Sequence, residues 1–320
     1  MIRLNLMGGL GNQMFQYAFA RALSEQFHDK EIEVNPYFSK YCNLWVSKSF
    51  HMTNNSLKHF QLNENVREAK KGTGMLYGLV QCVSYVFSSS SLTKRLPSEE
   101  SFGRKAKKGI YQAFASNYYK VPEISRKNKY VTGYFANEKY FKNIKPILIK
   151  EFEVQTEPSD QNKEKIKELE ACNSVCVHIR RGDYTSPKYS EFNICDDQYY
   201  QRGMDYIEQR VEKPVFYIFS NNSTEIAWIK EHYHFRQEVK YVDLNNPDYE
   251  ELRLMYHCRH YVVSNSTFSW WGSYLSKYAG GGSIVIAPSV WFKESFKGDS
   301  RGACRDDMVK LDVGGNKIEN

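Results

Sequence analysis

VCVHIRRGDY, residues 175–184, decides how the rest of the chain is read. Val175, Val177 and Ile179 alternate with Cys176 and His178, and the run is too apolar for a strand with one solvated face. It therefore predicts a buried central strand of a parallel sheet. The strand ends in charge, with Arg180, Arg181 and Asp183 around a turn at Gly182. In open α/β sheets, ligands bind outside that carboxyl end. His178 and Arg180 are two apart and project from one face, whereas Arg181 begins the turn and is free to point elsewhere. Arg180 is the stronger candidate for a ligand contact, because a guanidinium grips phosphate oxygens in pairs with a permanent charge. A purely structural ion pair with Asp183 is the competing reading.

Working outward, VVSNSTFSWWG at 262–272 reads as a second buried strand ending in Asn265, Ser266 and Thr267, then a helix with Phe268, Trp271 and Leu275 on one side. Hydroxyls and free N–H groups at a helix start suit a pyrophosphate. Ordinary N-capping with core aromatics explains the same residues. A third stretch, MGGLGNQMFQYA at 7–18, places Gly8, Gly9 and Gly11 where backbone can approach a ligand closely, with Asn12 as the cap of the following helix. It lacks the last glycine of G-x-G-x-x-G and has no Walker lysine, so alone it also fits a tight turn.

The second half is regular. Strands at 215–220, 239–244, 260–264 and 283–288 alternate with helices over 196–212, 223–232, 248–258 and 267–278, which predicts a right-handed, doubly wound parallel sheet. Asp248 and Glu251 read as a capping box. The first half opens as strand, glycine turn and helix, with a second strand at 31–34, then blurs to about residue 150; 88–108 reads as a Ser/Lys-rich loop. The polar stretch QTEPSDQNKEK at 155–165 is the linker, giving domains 1–158 and 159–320, with the last residues packing back on the first domain.

A chain of 320 residues, 41% hydrophobic and 15% aromatic, excludes disorder and suffices for two α/β domains. Its net charge of +7 favours anionic partners without saying which, and nucleic acid is not expected. The cluster Lys94, Arg95, Arg104, Lys105, Lys107 and Lys108 reads as a solvated loop or a membrane-surface contact. Seven cysteines without paired spacing suit a reducing compartment, and no apolar run is long enough to span a bilayer. The opening residues make a poor signal peptide, so a cytoplasmic protein is expected, with peripheral contact at the inner membrane face a further expectation. Asn54, Asn221, Asn222 and Asn265 begin sequons, the last where a buried turn is expected. The His, Cys and carboxylate spacings match no metal site, and there is no G-x-S-x-G elbow, so neither a metal nor a hydrolase triad is expected.

Taken together, GGLGNQMFQYA, HIRRGDY, FSNNSTEIAWI at 219–229 and SNSTFSWWG resemble glycosyltransferase family 11, the alpha-1,2-fucosyltransferases, in its bacterial form. The resemblance runs over nearly the whole chain. It implies a glycosyltransferase B fold, two Rossmann-like α/β domains facing a cleft, and inverting transfer from GDP-β-L-fucose to the 2-hydroxyl of a terminal β-galactoside. It implies no cofactor and no metal. Carried onto matching positions, Arg180 holds the β-phosphate, His178, Arg181 and Asp183 shape the pocket, and Asn265, Ser266, Thr267 and Phe268 form the donor-phosphate turn. Asn12 lies near the acceptor and the scissile bond, Gly9 and Gly11 of the same loop count among the donor-binding residues, and Asp183 is the candidate base. A transferase of different linkage, or a GDP-sugar-binding module without turnover, is the alternative.

Overall fold

The strand Ile2–Asn5 (β1) runs through a glycine turn into the helix Leu10–Phe27 (α1), the pairing that the first residues predict. In this computed structural model the described residues are 1–38, 54–86, 97–113, 116–279, 281–293 and 302–313, with backbone alone at 84–86. The chain divides into two compact units, Met1–Gln155 and Thr156–Asn320. The first continues with Ile32–Asn35 (β2), Val66–Glu68 (β3), Lys71–Val86 (α2), Glu99–Lys107 (α3), Ile110–Ala113 (β4), Lys129–Gly133 (β5) and Lys145–Glu151 (α4). Its strands form one parallel sheet in the order β3-β2-β1-β5-β4.

The two faces of that sheet differ chemically. Leu4, Val34, Val131 and Tyr111 share one register and one buried face. Phe19 of α1 meets Tyr111 edge-on and stacks on Phe135 at 4.0 Å. Asn35, Asn5, Thr132 and Gln112 share the next polar register. Asn35 Nδ2 donates to Asn5 Oδ1 at 2.9 Å, and Asn5 Nδ2 donates to Thr132 Oγ1 at 2.8 Å. Amides buried this deeply are tolerated because they bond to one another.

Two local expectations are corrected here. Asn12 does not cap α1: Gly9 is the cap, and Asn12 is the third helical residue, its N–H donating to Gly9 O at 3.1 Å. Part of the expected loop at 88–108 is the helix α3, because Ser98 accepts from Ser101 N, Glu99 and Glu100 open it and Arg104, Lys105 and Lys107 close it. That charge order opposes the helix dipole favourably. Only Phe102 and Ala106 anchor it, too few apolar residues for a visible period. Lys94 and Arg95 lie outside the described residues.

The second unit runs Asp160–Glu170 (α5), Asn173–His178 (β6), Asp197–Glu208 (α6), Pro214–Phe219 (β7), Ser223–His232 (α7), Val239–Tyr241 (β8), Asp248–Tyr256 (α8), His260–Val262 (β9), Thr267–Tyr274 (α9), Val285–Pro288 (β10) and Val309–Leu311 (β11). All six strands are parallel, in the order β11-β10-β9-β6-β7-β8. The direction of winding reverses between β6 and β9, the position where doubly wound folds bind ligands. Val175 and Val177 sit in a core with Tyr199, Tyr200, Met204, Phe216, Ile218 and Val262. The two Rossmann-like α/β units expected from the sequence are thus both present. Residues 314–320, part of the segment expected to pack back on the first domain, lie outside the described residues.

The capping box at Asp248 does not form. Helix α8 starts one residue earlier in register, with Pro247 at the cap and no side-chain cap bond. Proline offers neither a side-chain oxygen nor an N–H for a returning carboxylate. Glu251 is instead half-buried, and burial pushes its carboxyl up to about 7. Among the described residues six cysteines are free, Cys42 being outside them, and no helix is long and apolar enough to cross a membrane.

Candidate active site

His178, the last residue of β6, is 2% exposed, and its Nδ1 lies 3.0 Å from Ser264 Oγ beyond β9. Its ring tilts against Phe268 with centroids 5.8 Å apart. Burial, reinforced by the Arg180 charge, lowers its pKa to about 3, so the imidazole is neutral. It joins the two strand ends as a hydrogen-bonding group.

After Ile179, whose N–H continues the ladder to Phe219 O, the chain turns through Gly182 at φ +44°. A Cβ at Gly182 would stand 3.1 Å from Asn221 Nδ2, which disfavours any other residue there. The turn places Asp183 Oδ1 2.7 Å from an Arg180 terminal nitrogen, and Tyr184 under the guanidinium at 5.2 Å. The structural pair therefore exists. Both partners are partly exposed, at 27% and 31%, so the pair adds little stability but fixes the direction of the charge. Arg180 Nε is buried without a partner, leaving this guanidinium underused by its own fold.

Arg181 differs. Its Nε donates to Glu225 Oε2 at 3.0 Å, its guanidinium lies 3.1 Å from the Trp228 centroid, and its backbone N–H donates to Asn221 Oδ1. It ties α7 to the strand end and turns away from Arg180's task.

Asn265 is 3% exposed and holds the neighbouring segments together. Its Nδ2 donates to Phe192 O at 2.8 Å and to Trp291 O at 2.7 Å, its Oδ1 accepts from Cys195 Sγ, and its carbonyl accepts from Tyr184 OH at 3.2 Å. That side chain is fully committed, so it positions the turn instead of facing a ligand. Ser266 is the cap of α9, its Oγ accepting from Phe268 N, while Thr267 and Phe268 are partly exposed at the helix start. Trp270 and Trp271 are buried, as core aromatics should be. Behind them Trp270 Nε1 donates to Ala303 O, and Arg305 donates to Ser273 Oγ at 3.0 Å, fixing α9 from the rear.

In the first unit Gly9 is exposed, with open space where a Cβ would project, Gly11 is buried in the first helical turn, and the Asn12 side chain lies against Gly8. Two glutamines that sequence reasoning passed over shape this turn. Gln13 donates to Gly8 O and accepts from Ser56 N, and Gln16 both donates to Met7 O and accepts from Met7 N. The signal was available: two amides on an otherwise apolar helix face.

Among the described residues no three metal-ligating side chains come together. What does converge at the edge of the second sheet is a fixed guanidinium, a neutral imidazole and a hydroxyl-bearing helix start, a donor-rich place for an anion.

Two doubly wound parallel units, with that donor-rich edge at the switch point of the second, make an α/β architecture suited to a phosphate-bearing ligand. The chain belongs to Glycosyl transferase family 11, whose sequence model matches residues 1–311. It is 28% identical over 314 residues to the alpha-1,2-colitosyltransferase of Escherichia coli, covering 96% of this chain and 97% of that protein. It is 27% identical over 180 residues to galactoside alpha-(1,2)-fucosyltransferase 2 of Rattus norvegicus, covering 52% of this chain and 49% of that one. The crystal structure of the fucosyltransferase NodZ from Bradyrhizobium shares the fold, with a TM-score of 0.50 at 7% identity over 85% of this chain and 91% of that chain.

Proposed function

We propose that this glycosyltransferase moves L-fucose from GDP-β-L-fucose to the 2-hydroxyl of a terminal β-galactoside, inverting the anomeric centre to give an α-1,2 linkage. The observation that carries the reading is Arg180, held by Asp183 at the switch point, with the helix start of α9 tied to the same turn through Tyr184 and Asn265. When the acceptor oxygen bonds to the anomeric carbon, the bond to the β-phosphate oxygen breaks, negative charge gathers on the diphosphate, and the acceptor's hydroxyl proton leaves to water. A prealigned guanidinium and helix-start N–H groups stabilise that charge without reorganising. This arrangement supplies positive charge where other enzymes use a cation, which supports a metal-independent step.

Asp183 accepts from Arg180, so we assign it the orientation of that group; abstraction of the acceptor proton would require it to let go. Asn12 is assigned to the acceptor and the reacting bond, and Gly9 and Gly11 to the donor. The family and the alpha-1,2 relatives support the linkage. Since one relative bears the name colitosyltransferase, GDP-colitose, whose sugar is the 3-deoxy counterpart of fucose, is the second donor to try. Incubation with each GDP-sugar and a panel of β-galactosides, with product linkage read by NMR, tests the reading. An α-1,2-fucosylgalactoside is expected; release of GDP without acceptor dependence, or another linkage, overturns it.

A further inference from the structure

Helix α2 is turned outside in. Gly74, Gly78, Gln81 and Cys82 face the protein, while Leu76, Val80 and Val83 are 60%, 53% and 36% exposed. The glycines explain this. A Cβ at Gly74 would stand 2.7 Å from the Tyr37 ring, and one at Gly78 would stand 3.2 Å from Phe38 Cα, so only a small-residue stripe fits against the segment leaving β2. Asn35 Nδ2 donates to Gly74 O at 3.0 Å, and Tyr77 covers Arg3 at 4.4 Å, both fixing the helix's rotation. The spacing of Leu76, Val80 and Val83, four then three residues, aligns them along one ridge.

Charge accompanies the ridge. Lys70 and Lys71 are exposed at the helix start. Residues 69–86 contain no carboxylate to offset them. An exposed apolar helix face that opens on a pair of exposed lysines is the pattern of a helix lying in the interface of an anionic bilayer.

We propose that α2 docks the first unit on an anionic lipid surface, with Leu76, Val80 and Val83 among the upper acyl chains and Lys70 and Lys71 at the headgroups. A second copy of the chain fits worse. Three side chains offer far less than the roughly 800 Å² per partner of a stable interface, and two-fold pairing would bring like charges together. The proposal does not depend on the donor or linkage assigned above.

Cosedimentation of the full chain with vesicles tests it. Binding to phosphatidylglycerol-containing vesicles should exceed binding to pure phosphatidylcholine at least tenfold and weaken as salt rises. Leu76→Gln/Val80→Gln/Val83→Gln should lose at least tenfold in partition, and Lys70→Ser/Lys71→Ser roughly fivefold per residue. Both should keep the circular dichroism spectrum and transfer to a free oligosaccharide. Equal binding to the two vesicle types overturns the proposal, as does unchanged binding by the two variants. So does a concentration-dependent dimer that the triple variant abolishes while lipid binding is absent throughout.

Discussion

His178 Nδ1 stands 3.0 Å from the Ser264 hydroxyl, a bond that links the ends of the two central strands where no solvent reaches. Its folded pKa of about 3 lies below the ordinary histidine value, chiefly through burial. From about pH 6.5 downward the unfolded chain binds a proton here that the folded chain refuses, so stability falls as pH falls; above that range this group contributes no pH dependence. The slope it adds is at most about 1.4 kcal/mol per pH unit. Urea midpoints measured between pH 6.5 and 4.5 should drop more steeply for the wild type than for His178→Asn. Equal slopes would show that this imidazole is not held neutral.

The adjacent arginines should separate on mutation. Arg180→Ala is expected to lower kcat/KM at least about a hundredfold, as loss of one transition-state donor does. Arg180→Lys should restore only part, since an ammonium lacks the planar fork. Arg181→Lys should cost under tenfold in activity but lower Tm, because the Glu225 pair and the Trp228 stack are structural. The reverse pattern would exchange their roles.

Transfer should proceed at an unchanged rate in millimolar EDTA. A rate that collapses in chelator and returns with a divalent ion would place the diphosphate on a metal and remove Arg180 from its assigned task.

Asn265→Ala should leave the buried Trp291 carbonyl without its amide donor, at roughly 1–3 kcal/mol, while Phe192 O keeps the Ile194 N–H. Asn265→Asp should be worse, because a carboxylate would face both carbonyl oxygens without an N–H to offer. Urea unfolding of the purified variants, with KM for the donor rising before kcat falls, is the measurement. A donor KM and urea midpoint equal to wild type would show that the four-way tie is dispensable.

The second unit was legible because its strands are buried on both faces and read as unbroken apolar runs bounded by turns. The β6 run and the helix start after β9 stand out for that reason, and the sequence admits the ion pair of Arg180 with Asp183 beside the ligand contact. What a linear reading missed is contact between distant segments. Nothing around Asn265 announces that its amide reaches Phe192 and Trp291, 73 and 26 residues away. The cap of α8 was misplaced by one residue because Asp248 is a good cap by type, whereas the preceding proline sets the backbone. The first unit blurred because one face of its sheet is polar, so Asn5, Asn35, Thr132 and Gln112 interrupt the apolar pattern that betrays a buried strand.

The lone amide at position 265 also sets a rule for variation among sequences of this kind. Segments that meet at a shared knot cannot change length independently: an insertion between residues 187 and 193 would pull its carbonyl off the anchor and loosen the segment near 291 with it. Lengths here should drift together or not at all, whereas a substitution at the exposed Asn193 alters no length and leaves these anchors in place.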